Sequence, residues 1–367
     1  MAEVCIMTTV HRRYDTRVFS KEARSLAKVH SVTLLTADGL PEETVDGVRI
    51  RSVIDEKPRS RVERMTRTAL AMYRAALAQR ADIYHFHDPE LLPVGVRLRR
   101  RGKTVIYDVH ESISDTVTDR DYLPMPLLKA LAFASGRADL AMSKKMSAIV
   151  AVTPFLTKRY ADLGCKAVLV CNFPDLADFP PPSETAEREK CMVCSGARVD
   201  YSRGIVEMIE CAQRTGLPLH LFGKMHDAMY REIENRDKKG LVRVYGLVSQ
   251  EEVLKALYSS LIGMVVEYPT GNAVNAYCVK TFEYMASGIA VVSSDIPLWR
   301  ELVEETGCGL CVEPTDIDAV ADAVGYLAGH PEEARRMGMN GRRWAESKYN
   351  WASEEKKLLA LYRELIG

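Results

Sequence analysis

The sequence predicts an α/β protein built from two doubly wound domains, and three observations carry that reading. Short apolar runs alternate with longer helical patterns, the mark of parallel βαβ units. At 367 residues the chain is too long for one typical core and suits two. A proline-rich polar stretch, NFPDLADFPPPSETAEREK over 172–190, breaks the alternation near the middle and reads as a loop or linker.

Each element follows from its pattern. In the first half the candidate strands are EVCIMTT, SVTLLTA, GVRIRSV, DIYHFHD, TVIYDVH, AIVAVT and AVLVCN, with a helix over 15–28 that starts after Asp15. In the second half they are CMVCSG, PLHLFG, LVRVYGLV, IGMVVE, IAVVSS and CGLCVEP. Helices near 203–214, 227–236, 250–259, 279–287, 316–328 and 331–347 separate them. The expected boundaries are 1–173 for the first domain, 174–190 for a linker and 191–348 for the second domain. A last helix over about 349–367 is expected to cross back onto the first.

Composition narrows the function. Lys plus Arg equals Asp plus Glu at 50 each, so no global charge points to nucleic acid. No apolar run approaches the ~20 residues that span a bilayer. MAEVCIMTTV reads as a first strand and not a leader, which implies a cytoplasmic protein with reduced thiols. Two CxxC spacings, Cys191/Cys194 and Cys308/Cys311, lie in strand-like runs and fit buried thiols better than a zinc site. Charge is uneven locally. Residues 57–80 carry Lys57, Arg59, Arg61, Arg64, Arg67, Arg74 and Arg80 against Glu63, interleaved with Met65, Leu70, Met72 and Tyr73. That stretch fits an amphipathic helix on an anionic membrane surface or a solvated charged face, and the sequence leaves both open. The loop after the first strand, TTVHRRYDTR, lacks GxGxxG, and GxxxxGK[ST] is absent throughout. Both facts weaken nicotinamide-cofactor and NTPase readings.

Several motifs in order resemble one family. DTRVFSKEARSLAK, HFHDPELLP and VIYDVHES resemble the acceptor-domain signatures of family-4 glycosyltransferases, in a bacterial polysaccharide-biosynthesis branch. KTFEYMASGIAVVSSDIPLWRELV resembles their donor-site block, and NGRRWAESKYNWASEEKKLLALY their C-terminal helices. The resemblance implies a GT-B fold, two Rossmann-like domains facing a central cleft. It also implies a retaining, metal-independent hexosyltransferase that uses a nucleotide sugar, with UDP as the expected carrier. The acceptor would be a saccharide or lipid-linked saccharide. No cofactor beyond the donor is expected. A nucleotide-sugar epimerase on the same fold and a degenerate nucleotide-sugar-binding protein are the competing readings.

Residue by residue, the resemblance places Arg203, with Gly204 at a turn into a helix, on the donor diphosphate. A second basic residue is usual six positions earlier, but Ala197 stands there, and Lys280 is the candidate replacement. Glu283 is expected to accept hydrogen bonds from the ribose hydroxyls. Gly246, Leu247 and Val248 flank the base, and Asn275, Ala276, Tyr277, Cys278 and Val279 line the donor sugar. Asn275 holds a position, eight residues before Glu283, that is a carboxylate in much of the family. In the first domain His110 is expected to contact the transferred sugar, with His11, Asp15, Arg17, His87, Asp88 and Glu111 around the acceptor. Asp15 fits a helix cap equally well. His85 and His87 share a strand face with spacing that also suits a metal, although the family uses none.

Overall fold

The structure, a computed structural model, describes residues 1–113, 125–183, 187–271 and 273–367. Linker positions 184–186 and Asn272, the first residue of the donor-loop stretch, lie outside the described residues. The chain divides into two compact units, Met1–Asn172 with Ala352–Gly367, and Phe173–Trp351.

The first unit is built on an eight-stranded sheet. Its strands are β1 (Glu3–Met7), β2 (Ser31–Thr36), β3 (Glu43–Val45), β4 (Val48–Ser52), β5 (Ile83–Phe86), β6 (Thr104–Val109), β7 (Ala148–Ala151) and β8 (Ala167–Leu169). Their order is β3-β4-β2-β1-β5-β6-β7-β8, and β3 alone pairs antiparallel, as the edge partner of β4. The sequence reading did not include β3. It exists because Asp46 and Gly47, both at positive φ (51° and 78°), close a tight hairpin. The central strands are buried along their whole length, as parallel strands covered on both faces must be.

Among the described residues, α1 (16–27), α2 (61–79), α3 (Leu92–Arg100), α4 (Met125–Ser143) and α5 (Pro154–Ala161) accompany that sheet. α1 opens with a widened π-type turn over Thr16–Ala23. Asp15 caps it, accepting from the backbone N–H groups of Arg17 and Val18.

The second unit carries a six-stranded parallel sheet of β9 (Glu189–Arg198), β10 (Leu219–Lys224), β11 (Val242–Gly246), β12 (Ser260–Val265), β13 (Ala290–Ser294) and β14 (Gly309–Val312). The order is β11-β10-β9-β12-β13-β14. Its helices are α6 (Ile205–Thr215), α7 (Asp227–Arg236), α8 (Gln250–Ser259), α9 (Val279–Ala286), α10 (Pro297–Thr306), α11 (Ile317–Gly329) and α12 (Pro331–Ser347). Met192, Ile205, Met208, Ile209, Leu221, Ile262, Val292 and Val324 are among its fully buried core residues. The last helix, α13 (Trp351–Ile366), joins the first unit. Glu354 on it accepts from the Cys171 backbone N–H at 2.9 Å, and Tyr362 is fully buried there.

In each sheet the strand order reverses beside its first strand, between β1 and β5 and between β9 and β12. Open α/β sheets bind ligands at the carboxyl ends of strands flanking such a reversal. The residues of interest gather at these two places.

Candidate functional site

In the second unit, β9 leads through Tyr201–Arg203 to Gly204, which starts α6 at φ +65°. A Cβ there would lie 2.0 Å from the Val266 carbonyl oxygen, so only glycine lets the turn sit against the end of β12. That closeness delivers Arg203 to Glu267, with Nη1 donating to Oε1 at 3.1 Å. Lys280, one residue into α9, reaches the same oxygen at 2.8 Å. Ser294 fixes the carboxylate's backbone, accepting from the Glu267 N–H at 2.7 Å and donating to its carbonyl at 2.7 Å.

The two cations differ in access. Lys280 is 5% exposed and Arg203 30%. Burial alone would raise the Glu267 carboxyl, but the Lys280 and Arg203 charges outweigh it and hold Glu267 below the usual range. Two cations on one carboxylate leave about one net positive charge beside the first turn of α9, a helix end that itself favours an anion. A lysine near a helix N-terminus is unfavourable without an anion beside it, and Glu267 supplies one. Glu267 was missed in sequence. Its signal was an acid ending the otherwise apolar strand LIGMVVE.

The remaining donor-side residues lie on α9, on the segment before it, and at or just after the ends of β9 and β11. Glu283 lies on α9, half-buried. Asn275 ends a short 3₁₀ turn, and the next carbonyl, Ala276, accepts from the Trp299 indole at 2.7 Å. Cys278 caps α9 with its backbone, and its thiol lies 3.6 Å from Glu267. Val279 is exposed, and Tyr277 packs edge-on to Phe282. Gly246 turns at φ +70° after β11, ahead of exposed Leu247 and half-buried Val248. Ala197 is exposed at the end of β9, and Arg198 turns to Asp200, 3.8 Å away.

In the first unit the centre is buried. Arg17 donates from Nε and Nη2 to Asp108 Oδ2 at 3.1 and 2.9 Å, and Nη2 lies 3.0 Å from Glu22. His87 Nδ1 lies 3.2 Å from His110 Nε2, and His85 Nδ1 lies 2.9 Å from the Tyr362 hydroxyl. His11 pairs with Asp15 at 3.2 Å and approaches Asp88 at 3.6 Å. Asp88 in turn accepts from the Thr8 hydroxyl at 2.9 Å and the Val10 N–H at 3.3 Å, which pins the loop after β1.

Burial and pairing set the charges. Burial, reinforced by the Asp108 charge, pushes Glu22 well up. Burial would raise Asp108 too, yet the Arg17 charge holds it well down. Burial, against the pull of Asp108, brings His87 down to about 4.

These positions correct three expectations. Arg17, His87 and Asp88 are each under 5% exposed and spent on partners inside the unit, so they support the surface and do not line it. His11, Asp15, His110 and Glu111 keep partial or full exposure. Glu22, His85, His87 and Asp108 offer ligand atoms within 4.8 Å of one another, a metal-like spacing. Arg17, however, already answers both carboxylates from within the chain. Asp108 was legible as a charge inside the apolar run VIYDVH. Glu22 had no such signal. Both CxxC pairs are free thiols, with Cys191, Cys194 and Cys308 buried and Cys311 half-buried.

The Glycosyl transferase 4-like domain family matches residues 16–174, and the Glycosyl transferases group 1 family matches 178–344. The chain belongs to glycosyltransferase family 4, with the GT-B fold. It is similar to an MMP alpha-(1->4)-mannosyltransferase of Mycolicibacterium hassiacum, 32% identical over 33% of this chain and 28% of that protein. It is also similar to a GDP-mannose-dependent alpha-(1-6)-phosphatidylinositol monomannoside mannosyltransferase of Mycolicibacterium smegmatis, 35% identical over 25% of this chain and 24% of that protein. The chain thus matches only about a quarter of the length of these curated relatives. Among solved structures, sucrose-phosphate synthase from Thermosynechococcus elongatus superposes with a TM-score of 0.79 at 16% identity, covering 100% of this chain and 99% of that one. Anabaena Alr3699/HepE in complex with UDP and glucose gives 0.71 at 11% identity, covering 99% and 100%.

Proposed function

We propose that this chain transfers a hexose from a nucleoside diphosphate donor to a saccharide or lipid-linked saccharide acceptor, with retention at the anomeric carbon. The observation that carries the proposal is the convergence of Arg203 and Lys280 on Glu267 beside the first turn of α9, where the strand order reverses. The departing diphosphate gains charge in the transition state, and preorganised cations there count more than at the ground state. Arg203 and Lys280 supply that charge from side chains, so the reaction is expected to proceed without added metal. Glu283, on the same helix as Lys280, takes the ribose hydroxyls.

His110 sits on the acceptor side as a sugar-contacting group. No carboxylate pair of the glycosidase kind is assigned as nucleophile and acid. Front-face attack, with the departing phosphate taking the acceptor proton, is the matching route. The carrier is named differently by the similar proteins, GDP in one and UDP in another.

The surface of α2 supports a membrane-proximal acceptor. Arg61, Arg67 and Arg74 are exposed there together with Val62, Met65 and Leu70, while Met72 and Ala76 face the core. Arg64 is not part of that surface, being paired with Glu90 at 2.6 Å. Among the described residues no helix is long and apolar enough to cross a membrane.

The test is a donor screen of the full chain by thermal shift with UDP-glucose and GDP-mannose, followed by product analysis with a lipid-linked saccharide. A product with the donor's anomeric configuration supports the proposal. An inverted product removes retention, and stabilisation by neither donor removes the donor reading.

A further inference from the structure

The first unit holds a set of ionisable groups larger than a structural core needs. Glu22, His85, His87 and Asp108 are all buried at the ends of α1, β5 and β6, below the partly exposed ring of His110. Buried histidines are constrained in which nitrogen carries the proton, because each ring nitrogen must meet a complementary partner. The distances here select one arrangement. Asp108, ion-paired with Arg17, is an acceptor only. The ring nitrogen nearest its Oδ2 is His87 Nδ1, at 3.4 Å, while His110 Nε2 lies 3.7 Å from Oδ1. A neutral His87 therefore carries its hydrogen on Nδ1. Its Nε2 lies 3.7 Å from Glu22 Oε2, beyond hydrogen-bond distance, and both atoms lack a hydrogen-bond partner. His87 Nδ1–H then also points to His110 Nε2, 3.2 Å away.

We infer that His87 and Asp108 are positioning residues that fix the tautomer of His110: its Nε2 accepts from His87 and its own proton sits on Nδ1. Asp108 orients His87, and Arg17 balances the carboxylate charge so that the set can be buried. His85 stands outside the chain of donors, held by Tyr362. The consequence for catalysis rests on the reading of His110 as a sugar-contacting group, since a fixed Nδ1–H makes that ring a donor and not an acceptor toward a hydroxyl. The tautomer itself does not depend on that reading.

The experiment uses the full chain labelled with ring-¹⁵N histidine. The His110 signals are assigned by loss in His110→Asn, and the tautomer is read from the nitrogen shifts and long-range couplings. The wild type is expected to show protonated Nδ1 and bare Nε2 at His110 at neutral pH. His87→Asn keeps an amide N–H near the Nδ1 position and is expected to keep that tautomer. His87→Gln moves the amide toward the Nε2 position and is expected to give mixed His110 signals. If transfer is observed, His87→Gln is expected to lose about tenfold or more in kcat, the range for one lost positioning hydrogen bond, with donor KM unchanged and a smaller loss in His87→Asn. A His110 protonated on Nε2 in the wild type overturns the inference, as does the same tautomer in His87→Asn and His87→Gln. Absence of any transfer by the wild type would count against the proposed function and leave the tautomer result standing.

Discussion

The polar centres of the two units sit at equivalent places, the strand-order reversals of their sheets, yet they are built oppositely. In the first unit Arg17, Glu22, His85, His87 and Asp108 are buried together, with Arg17 paired to both Glu22 and Asp108. In the second unit Arg203 and Lys280 share Glu267, one more cation than the acid can match, and Arg203 keeps access to solvent. A closed set can orient its neighbours. An open set with residual positive charge is suited to hold an anionic ligand.

That contrast can be broken in several ways, taken from the largest expected effect downward. Lys280→Ala is expected to cut turnover by about ten- to a thousand-fold, the range for losing one preorganised donor at a developing charge. Steady-state kinetics check it, and an unchanged kcat would leave Glu267 as the reason for Lys280. Glu267→Ala leaves buried Lys280 without its partner and is expected to cost about 3–5 kcal/mol in chemical denaturation. Added UDP or GDP should then raise the melting temperature more in this variant than in the wild type, because a bound diphosphate replaces the missing anion. Equal shifts in both proteins would mean that the nucleotide binds elsewhere.

Glu283→Gln is expected to raise donor KM by about 10–100-fold, as for a charge-assisted hydrogen bond at the ribose, while a 2′,3′-dideoxy donor should not distinguish the two proteins. In the first unit the expected effect is on stability. His87 is held at about 4 in the folded chain against an ordinary 6.5, so its contribution is fully present above 6.5 and is lost as pH falls toward 4. His87→Asn should flatten that part of the difference between melting curves at pH 7 and pH 5. A curve as steep as the wild type's would show that His87 titrates normally. The smallest effect belongs to α2. Wild type is expected to sediment with anionic liposomes at low salt, and a triple Arg61, Arg67 and Arg74 to Glu variant to stay in the supernatant.

Much of the fold was legible because parallel strands are continuous apolar runs. Every run named as a strand became one, and the second-unit helices fell within a few residues of their expected bounds. β3 escaped because three residues carry no periodicity, although the DG pair after it was a readable hairpin signal. α10 escaped too, despite Pro297 at its first turn and Gly307 at its end, because it follows directly on a strand and a short loop. Motif positions pointed to Arg203, Lys280 and Glu283, but spacing along the chain does not say which side chains meet. Glu267 stands 16 residues before Glu283, outside the spacing of the expected carboxylate. Likewise, the HFHD and DVH motifs suggested surface ligands, and burial turned His87 and Asp88 inward.

The central claim is that the second unit's surplus positive charge holds a nucleoside diphosphate donor for transfer. Its most direct measurement is nucleoside diphosphate release from UDP-glucose and GDP-mannose by the full chain, in EDTA, for wild type and Arg203→Ala. The predicted result is slow release from one of the donors by the wild type, reduced about ten- to a thousand-fold in the variant. Release at the same rate by both proteins, or from neither donor, would contradict it.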